Sequence, residues 1–263
     1  MIRRTASGAP SPEATKGILF DKDGTLVDFH ATWGPAYRLG ALAFAGGDPA
    51  LTDRLLVAGG WDTETGRVAE GSILAAGPNA EIAETWLAAL PAGTRPAIGE
   101  ADPETFLEAA FNAETARSAK PVTDLAALFS RLHGRGLVLG LATNDSHDGA
   151  LATLRPFGIV ERLAFVAGYD SGHGGKPEPG MVEGFCAQTG LAPGEVMVVG
   201  DNLHDMEMGR RAGAGVVVGV LGGSGSLETL SSAADWVIDS IVELEDLLGS
   251  DSARPVRERS PRR

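Results

Sequence analysis

The chain has 263 residues, of which 43% are hydrophobic and 22% charged, so it can bury a sizeable core as one large domain or two smaller ones. Its formal net charge of −13 argues against binding to the phosphate backbone of a nucleic acid, which needs a concentrated basic face. The single cysteine, Cys186, excludes a disulfide within the chain.

The first 16 residues carry Arg3 and Arg4 followed by Ser, Pro and Gly. They contain no apolar segment long enough for a signal peptide or a membrane span. We therefore expect a frayed N-terminal segment, a cytoplasmic protein and no membrane partner.

The first predicted strand is the apolar run Ile18–Phe20, which ends abruptly in the carboxylates of Asp21 and Asp23. Such a run suits a parallel strand covered on both faces, and open parallel sheets bind ligands beyond the carboxyl ends of their strands. Because residues two apart in an extended segment point the same way, both carboxylates can face one small volume, while Lys22 points elsewhere. Like charges that close require a cation or a shared proton. The alternative is a solvated turn, since Asp and Gly are ordinary turn residues.

Residues 28–120 show helical spacing in Ala-rich stretches such as Glu81–Leu90 and Thr105–Phe111. Asp102 precedes the second stretch and is a candidate N-cap. Because no β-type alternation interrupts the region, we interpret it as a helical insertion between the first strand and the rest of the sheet. Arg67 lies in one of its Gly-containing loops and is a candidate ligand for a substrate anion, although a solvated surface arginine is the commoner case.

After Pro121 an alternation of helical and apolar segments continues almost to the end of the chain. Leu125–Leu132 has helical spacing, and glycines follow it. Apolar runs separated by segments with room for helices are typical of a doubly wound parallel sheet, and hence of an α/β fold. These runs are Leu137–Ala142, Ala164–Ala167, Val196–Val199, Val216–Val220 and Trp236–Ile238.

The domain organisation follows from these patterns. Residues 1–27 and 121–249 are predicted to form the α/β core, and residues 28–120 the helical insertion. Residues 250–263 are rich in Arg, Ser and Pro, with few apolar groups, and are predicted to be a disordered tail.

Further polar groups follow the apolar runs or lie in a constrained loop. Thr143 and Asn144 offer a hydroxyl and backbone N–H groups where a strand ends, which suits an anion, although helix capping is the simpler role for either alone. Lys176 lies in a loop shaped by Gly and Pro. Asp201 ends another apolar run, and Asp205 follows one helical turn later, each with a solvated loop acid as its alternative. Their common placement at one sheet edge favours a functional site.

The set of motifs resembles the haloacid dehalogenase superfamily, whose four motifs it matches in order between residues 21 and 205. The resemblance implies a Rossmann-like α/β core, and the insertion after the first motif is similar to the cap of the phosphoglycolate phosphatase-like branch. No motif within the insertion itself could be matched. The matching segments are Asp21-x-Asp23-Gly24-Thr25, Thr143-Asn144, Gly175-Lys176-Pro177, and Gly200-Asp201 with Asp205.

The resemblance implies a phosphoric monoester hydrolase that acts on a small phosphorylated metabolite, similar to phosphoglycolate, through an aspartyl-phosphate. Asp21 would be the nucleophile. Asp23 would be the general acid toward the leaving alcohol and then the general base toward water. Thr143 and the backbone N–H of Asn144 would bind phosphoryl oxygens, and Lys176 would offset charge on the phosphate and on Asp21.

The same resemblance implies Mg²⁺ as the cofactor. Its ligands would be Asp21, the backbone carbonyl of Asp23, and Asp201, while Asp205 would order the metal's waters or Lys176. Oxygen ligands and retained waters are what this ion prefers.

Two alternatives to a phosphatase remain open at this point. A phosphomutase of the same superfamily differs mainly in whether water or a sugar hydroxyl accepts the phosphoryl group. A non-catalytic phospho-accepting regulator would also use an acidic Mg²⁺ pocket with Thr and Lys. A dehalogenase is disfavoured because those enzymes lack an acid at the position that matches Asp23.

Overall fold

The computed structural model describes residues 1–5 and 10–249. The described part of the chain contains nine strands and eleven α-helices, numbered separately in chain order. The strands are β1 (Arg3–Arg4), β2 (Gly17–Phe20), β3 (Trp61–Asp62), β4 (Arg67–Val68), β5 (Val138–Ala142), β6 (Leu163–Ala167), β7 (Val196–Gly200), β8 (Val216–Val220) and β9 (Trp236–Ile238). The helices are α1 (Phe29–Phe44), α2 (Pro49–Ala58), α3 (Ile73–Ala76), α4 (Asn79–Ala89), α5 (Pro103–Ser118), α6 (Leu125–Gly134), α7 (His147–Leu154), α8 (Gly180–Thr189), α9 (Leu203–Ala212), α10 (Leu227–Ala233) and α11 (Leu244–Leu247).

The main sheet contains seven of the described strands, in the order β1-β9-β8-β7-β2-β5-β6. Every neighbouring pair is parallel except β1 with β9. Strand β2 lies between β5 and β7, with β5 and β6 on one side and β7, β8 and β9 on the other, so the chain crosses over it when it passes from β6 to β7. The predicted α/β fold with a mostly parallel sheet is confirmed.

Helices cover the sheet on both faces. Ile18 and Phe20 pack into the same buried cluster as Phe129 of α6, whereas Leu19 packs into a second cluster with Phe185 of α8. Alternate residues of β2 therefore enter two different cores, and all four residues of the strand are buried. This double burial explains why the strand is a continuous apolar run in the sequence.

The N-terminal segment is more ordered than the sequence predicts. Arg3 and Arg4 form β1, which pairs antiparallel with β9 in register with Val237 and Trp236. The prediction of a frayed start is wrong for these residues. A two-residue strand made of arginines carries no apolar run from which it could be predicted.

Residues 29–118 form a helical layer that contains α1–α5 and has its own hydrophobic cluster, in which the ring of Trp86 contacts Phe44 and Phe111 edge to face. The layer is not wholly helical, because β3 and β4 form a short antiparallel hairpin. The prediction that residues 28–120 contain no strands is therefore wrong. Asp62 closes the hairpin turn by accepting hydrogen bonds from the backbone N–H groups of Glu64 and Thr65.

The predicted helix start at Asp102 is confirmed, since its carboxylate accepts a hydrogen bond of 3.0 Å from the backbone N–H of Thr105. The predicted tail, residues 250–263, lies outside the described residues. Within the part of the chain that is described, none of the helices combines the length and the apolar character that crossing a lipid bilayer requires.

Candidate active site

Three aspartates that are far apart in the sequence meet at the carboxyl end of the sheet. Asp21 directly follows β2, Asp201 directly follows β7, and Asp205 lies in the first turn of α9. One carboxylate oxygen from each lies within 4.8 Å of the others, and all three side chains are buried. The neighbouring parallel strands β2 and β7 bring these acids together, as the predicted sheet edge requires.

Glycines allow the chain to approach Asp201 closely. Gly24 has a φ of +79°, and a Cβ atom at this position would lie 2.6 Å from Cγ of Asp201. A Cβ atom at Gly223 would lie 1.9 Å from Oδ2 of Asp201, which accepts a 2.7 Å hydrogen bond from the backbone N–H of Ser224. The loop that contains Gly223 and Ser224 was not singled out by the sequence, because it has no acid, hydroxyl–amide pair or lysine.

Lys176 lies inside this acidic cluster. Its Nζ is 2.5 Å from Oδ1 of Asp21 and 2.7 Å from Oδ1 of Asp205, and its side chain is only 6% exposed. The amide of Asn144 fixes the loop that carries the lysine, because it accepts a hydrogen bond from Lys176 N and donates one to Lys176 O. Sequence reasoning considered only the backbone N–H of Asn144, so this bridging role of its side chain was missed.

Lys22 contradicts the expectation that it points away from the acids. Its side chain is fully buried, and Nζ lies 2.5 Å from Oδ2 of Asp145 and 3.2 Å from Oδ2 of Asp23. The alternation rule fails here because β2 ends at Phe20, so the chain is already turning at Lys22. Asp145 also accepts a hydrogen bond from the backbone N–H of Ser146, which holds its carboxylate beside the lysine.

The hydroxyl side chain predicted to bind an anion is also at this edge. Thr143 directly follows β5, is buried, and accepts a 3.2 Å hydrogen bond from the backbone N–H of Asp145. Thr143, Asn144 and Lys176 all line the same cavity as Asp21. Arg67, in contrast, lies in β4 with an exposed side chain and is not part of that lining.

Burial dominates the electrostatics of the acids. It raises the pKa of Asp21 to about 6, although the charge of Lys176 acts in the opposite direction. Burial likewise raises the pKa of Asp23 to about 6, against the charge of Lys22. The pKa of Asp201 is raised well above its usual value, first by burial and then by the charges of Asp21 and Asp205.

At Lys176 the neighbouring charges outweigh the effect of burial on the pKa. Burial opposes its charge, but the carboxylates of Asp205 and Asp21 raise the pKa of the ammonium above its usual value. The lysine is therefore a fixed positive charge at neutral pH. It offsets one of the three clustered carboxylates, and the remaining negative charge favours a bound cation.

The chemistry of the donors fits Mg²⁺. Asp21, Asp201 and Asp205 offer carboxylate oxygens, which are hard ligands, and one oxygen from each lies within the reach of a single ion. The carboxylate of Asp23 is not part of this cluster. Asp23 would therefore bind the ion through its backbone carbonyl, as predicted from the sequence.

A cavity of about 420 Å³ lies between the sheet edge and the helical layer. One wall carries the acids, Thr143, Asn144 and Lys176. The other wall comes from the helical layer and is formed largely by apolar and aromatic residues, namely Phe29, Trp33, Tyr37, Leu74, Ala75, Ala76, Gly77, Pro78 and Ile82.

The parallel sheet, the buried acids at its edge and the covered cavity define an α/β protein with an acidic site beneath a helical insert. The chain belongs to the haloacid dehalogenase-like hydrolase family, which residues 15–213 match.

Relatives with curated names support a phosphatase. An N-acetylmuramic acid 6-phosphate phosphatase of Pseudomonas aeruginosa is 26% identical over 230 residues, which are 87% of this chain and 90% of that protein. A phosphoglycolate phosphatase of Haemophilus influenzae is 31% identical over 117 residues, and this match covers 44% of this chain and about half, 52%, of that protein.

Solved structures share this fold. A structure described as a predicted phosphoglycolate phosphatase from Haemophilus somnus matches with a TM-score of 0.65 at 20% identity, covering 89% of this chain and 98% of that one. At this identity the likeness supports the fold, with its helical insert, and not a substrate.

Proposed function

We propose that this protein is a Mg²⁺-dependent phosphatase that hydrolyses a small phosphorylated metabolite through an aspartyl-phosphate on Asp21. The observation that carries the proposal is the meeting of Asp21, Asp201 and Asp205 around Lys176, next to a cavity large enough for a metabolite. A phosphoryl-transfer site needs a nucleophile, charge neutralisation and a proton for the leaving oxygen, and each has a candidate here.

In the first step, a carboxylate oxygen of Asp21 attacks the phosphorus, and the bond to the ester oxygen breaks. The leaving oxygen takes the proton of Asp23, so an alcohol departs. Thr143 and the backbone N–H of Asn144 hold phosphoryl oxygens, and the ammonium of Lys176 offsets negative charge on the phosphoryl group and on Asp21.

In the second step, water attacks the phosphorus of the aspartyl-phosphate and gives a proton to Asp23. The bond to Asp21 breaks, and its carboxylate is restored together with inorganic phosphate. Asp23 suits both steps because burial raises its pKa to about 6, so that it can hold or accept a proton near neutral pH.

Asp21, Asp201 and the backbone carbonyl of Asp23 would hold Mg²⁺, while Asp205 would keep Lys176 in place through their 2.7 Å ion pair. When bound, the ion would neutralise charge on the phosphoryl oxygens. The chain's own part is to supply oxygen ligands in a pocket where the carboxylates would otherwise repel one another.

The proposal is tested with purified protein, Mg²⁺ and p-nitrophenyl phosphate. Continuous release of phosphate, over many equivalents per chain, is the expected result. Labelling of Asp21 that stops at one equivalent would contradict it and favour the phospho-accepting regulator. Transfer to an added sugar phosphate, without release of phosphate, would favour the phosphomutase.

A further inference from the structure

The cavity has two chemically different ends. At the sheet edge lie the acids and Lys176, where the proposed function places the phosphate. At the helical layer, the wall is apolar and aromatic. Trp33 is held there by a stacked contact with Tyr37, with ring centroids 5.3 Å apart, and by an edge contact with Phe111. The organic part of a substrate would face this wall.

The end formed by the helical layer offers no side-chain cation. Among the described residues that line the cavity, the layer contributes neither a lysine nor an arginine, and its one charged group is the carboxylate of Glu104. None of the five arginines of the layer lines the cavity, and two of them are engaged elsewhere: Arg38 lies over the ring of Trp61, and Arg117 forms an ion pair with Glu114. Lys176, the single lysine of the whole described lining, lies at the phosphate end between two aspartates.

We infer that the physiological substrate is a phosphomonoester whose organic part carries no anionic group. The inference rests on the proposed function and narrows its substrate. A carboxylate on the organic part would leave water for an apolar wall without a cation to pair with, and the one charged group that the layer adds to the lining is the exposed carboxylate of Glu104. Phosphoglycolate and N-acetylmuramic acid 6-phosphate, the substrates in the relatives' names, both carry such a carboxylate.

The polar groups of this end suit hydroxyl groups. Asn79 and Glu104 of the helical layer line the cavity with an amide and a carboxylate. Tyr169, which follows β6, also lines it, and its phenol donates a 3.1 Å hydrogen bond to Glu108. These groups can exchange hydrogen bonds with the hydroxyls of a sugar or polyol, whose apolar ring or chain atoms can pack against the aromatic wall.

The test uses three two-carbon phosphomonoesters that differ only in their terminal group: phosphoglycolate, 2-hydroxyethyl phosphate and phosphoethanolamine. A larger pair consists of 6-phosphogluconate, which carries a carboxylate, and glucose 6-phosphate, which does not. Each ester is measured as a competitive inhibitor of p-nitrophenyl phosphate hydrolysis in the presence of Mg²⁺, so binding is obtained whether or not the ester is turned over.

We expect the inhibition constants of both carboxylated esters to be at least tenfold higher than those of their uncharged partners. A difference below tenfold in both pairs, or tighter binding of the carboxylated esters, would overturn the inference while leaving the phosphatase intact. Absence of p-nitrophenyl phosphate turnover would instead remove the proposed function, and this inference with it.

A charge-reversal variant tests whether the wall formed by the helical layer causes this difference between the inhibition constants. Glu104→Lys places a cation at the end formed by the helical layer and should lower the inhibition constant of phosphoglycolate by threefold or more, with little change for 2-hydroxyethyl phosphate. Glu84→Lys makes the same change in net charge at an exposed position of α4 outside the cavity lining, and should leave both constants within twofold. Equal responses of the two variants would mean that net charge, not the wall of the cavity, discriminates the esters.

Discussion

The ammonium of Lys22 lies 2.5 Å from Oδ2 of Asp145, and the lysine side chain is completely buried. The two residues are 123 positions apart, so the pair joins the loop after β2 to the loop after β5. Oδ2 of Asp23 lies 3.2 Å from the same ammonium. The residue proposed as the general acid is therefore held next to a buried cation that does not line the cavity.

Replacement of Lys22 should destabilise the fold strongly. Lys22→Met removes the cation and leaves the largely buried carboxylates of Asp145 and Asp23 without it, so we expect the free energy of unfolding to fall by about 3–5 kcal/mol. Urea unfolding of the metal-free protein measures this change. Lys16→Met breaks a pair of equal length with Glu195, but that lysine is 64% exposed, so its loss should cost less than about 1 kcal/mol. Similar losses for both variants would contradict a structural role for the buried pair.

The nucleophile assignment is tested by Asp21→Asn. An amide cannot form the aspartyl-phosphate, so turnover of p-nitrophenyl phosphate should disappear. The far-UV circular dichroism spectrum should be unchanged, because the amide keeps the shape of the buried side chain. Measurable turnover of this variant at saturating Mg²⁺, in a preparation shown by mass spectrometry to lack deamidated protein, would contradict the role of Asp21.

The role of Asp23 should depend on the leaving group. Asp23→Asn cannot protonate an alkoxide, so hydrolysis of an alkyl phosphate should slow by about 10²–10⁴-fold. The p-nitrophenolate ion leaves without a proton, so the first step with the aryl ester should be much less affected. Attack of water would still lack its base, and the variant should show a burst of p-nitrophenol followed by slow turnover. Wild-type rates with an alkyl phosphate would contradict the assignment.

The sequence predicted the sheet well because parallel strands buried on both faces must be apolar throughout. Val216–Val220 and Trp236–Ile238 have the predicted bounds, and Val196–Gly200 differs by one residue. The same rule places Asp21 and Asp201 at one edge, since each ends an apolar run and the ends of parallel strands coincide. The pairing of β2 with β7 then brings together two residues that are 180 positions apart in the sequence.

Features that depend on the path of a loop could not be predicted in this way. Lys22 is buried because the chain turns after Phe20 and Asp145 arrives from another loop, and no local pattern records that meeting. Each strand of the hairpin formed by β3 and β4 has only two residues, which is too short to show an alternation of apolar and polar side chains. The aromatic wall around Trp33 lies on a helix whose apolar residues also fill the core of the helical layer, so their spacing alone does not show which of them face a cavity.

The folded chain binds protons more tightly than the unfolded chain at Asp21 and Asp23, whose pKa values are raised from 3.8 to about 6. The same holds at Asp201, whose pKa is raised well above its usual value by burial and by its acidic neighbours. The contribution of Asp21 and Asp23 to stability therefore falls as the pH rises through about 4 to 6, and that of Asp201 also falls with rising pH. At pH 7.5 the metal-free fold bears the cost of buried carboxylates.

Mg²⁺ should relieve that cost, so the rise in Tm on adding it in place of EDTA should be larger at pH 7.5 than at pH 5.5, where protons compete for the same oxygens. His30 and His204 have lowered pKa values and oppose the trend in absolute Tm, so the comparison uses the metal-induced difference at each pH. Differential scanning calorimetry measures it. Asp201→Asn should lose most of the rise at pH 7.5, whereas Asp53→Asn, an exposed position on α2, should keep it. An equal rise at both pH values, or a full rise in Asp201→Asn, would mean that the ion stabilises the protein from some other site.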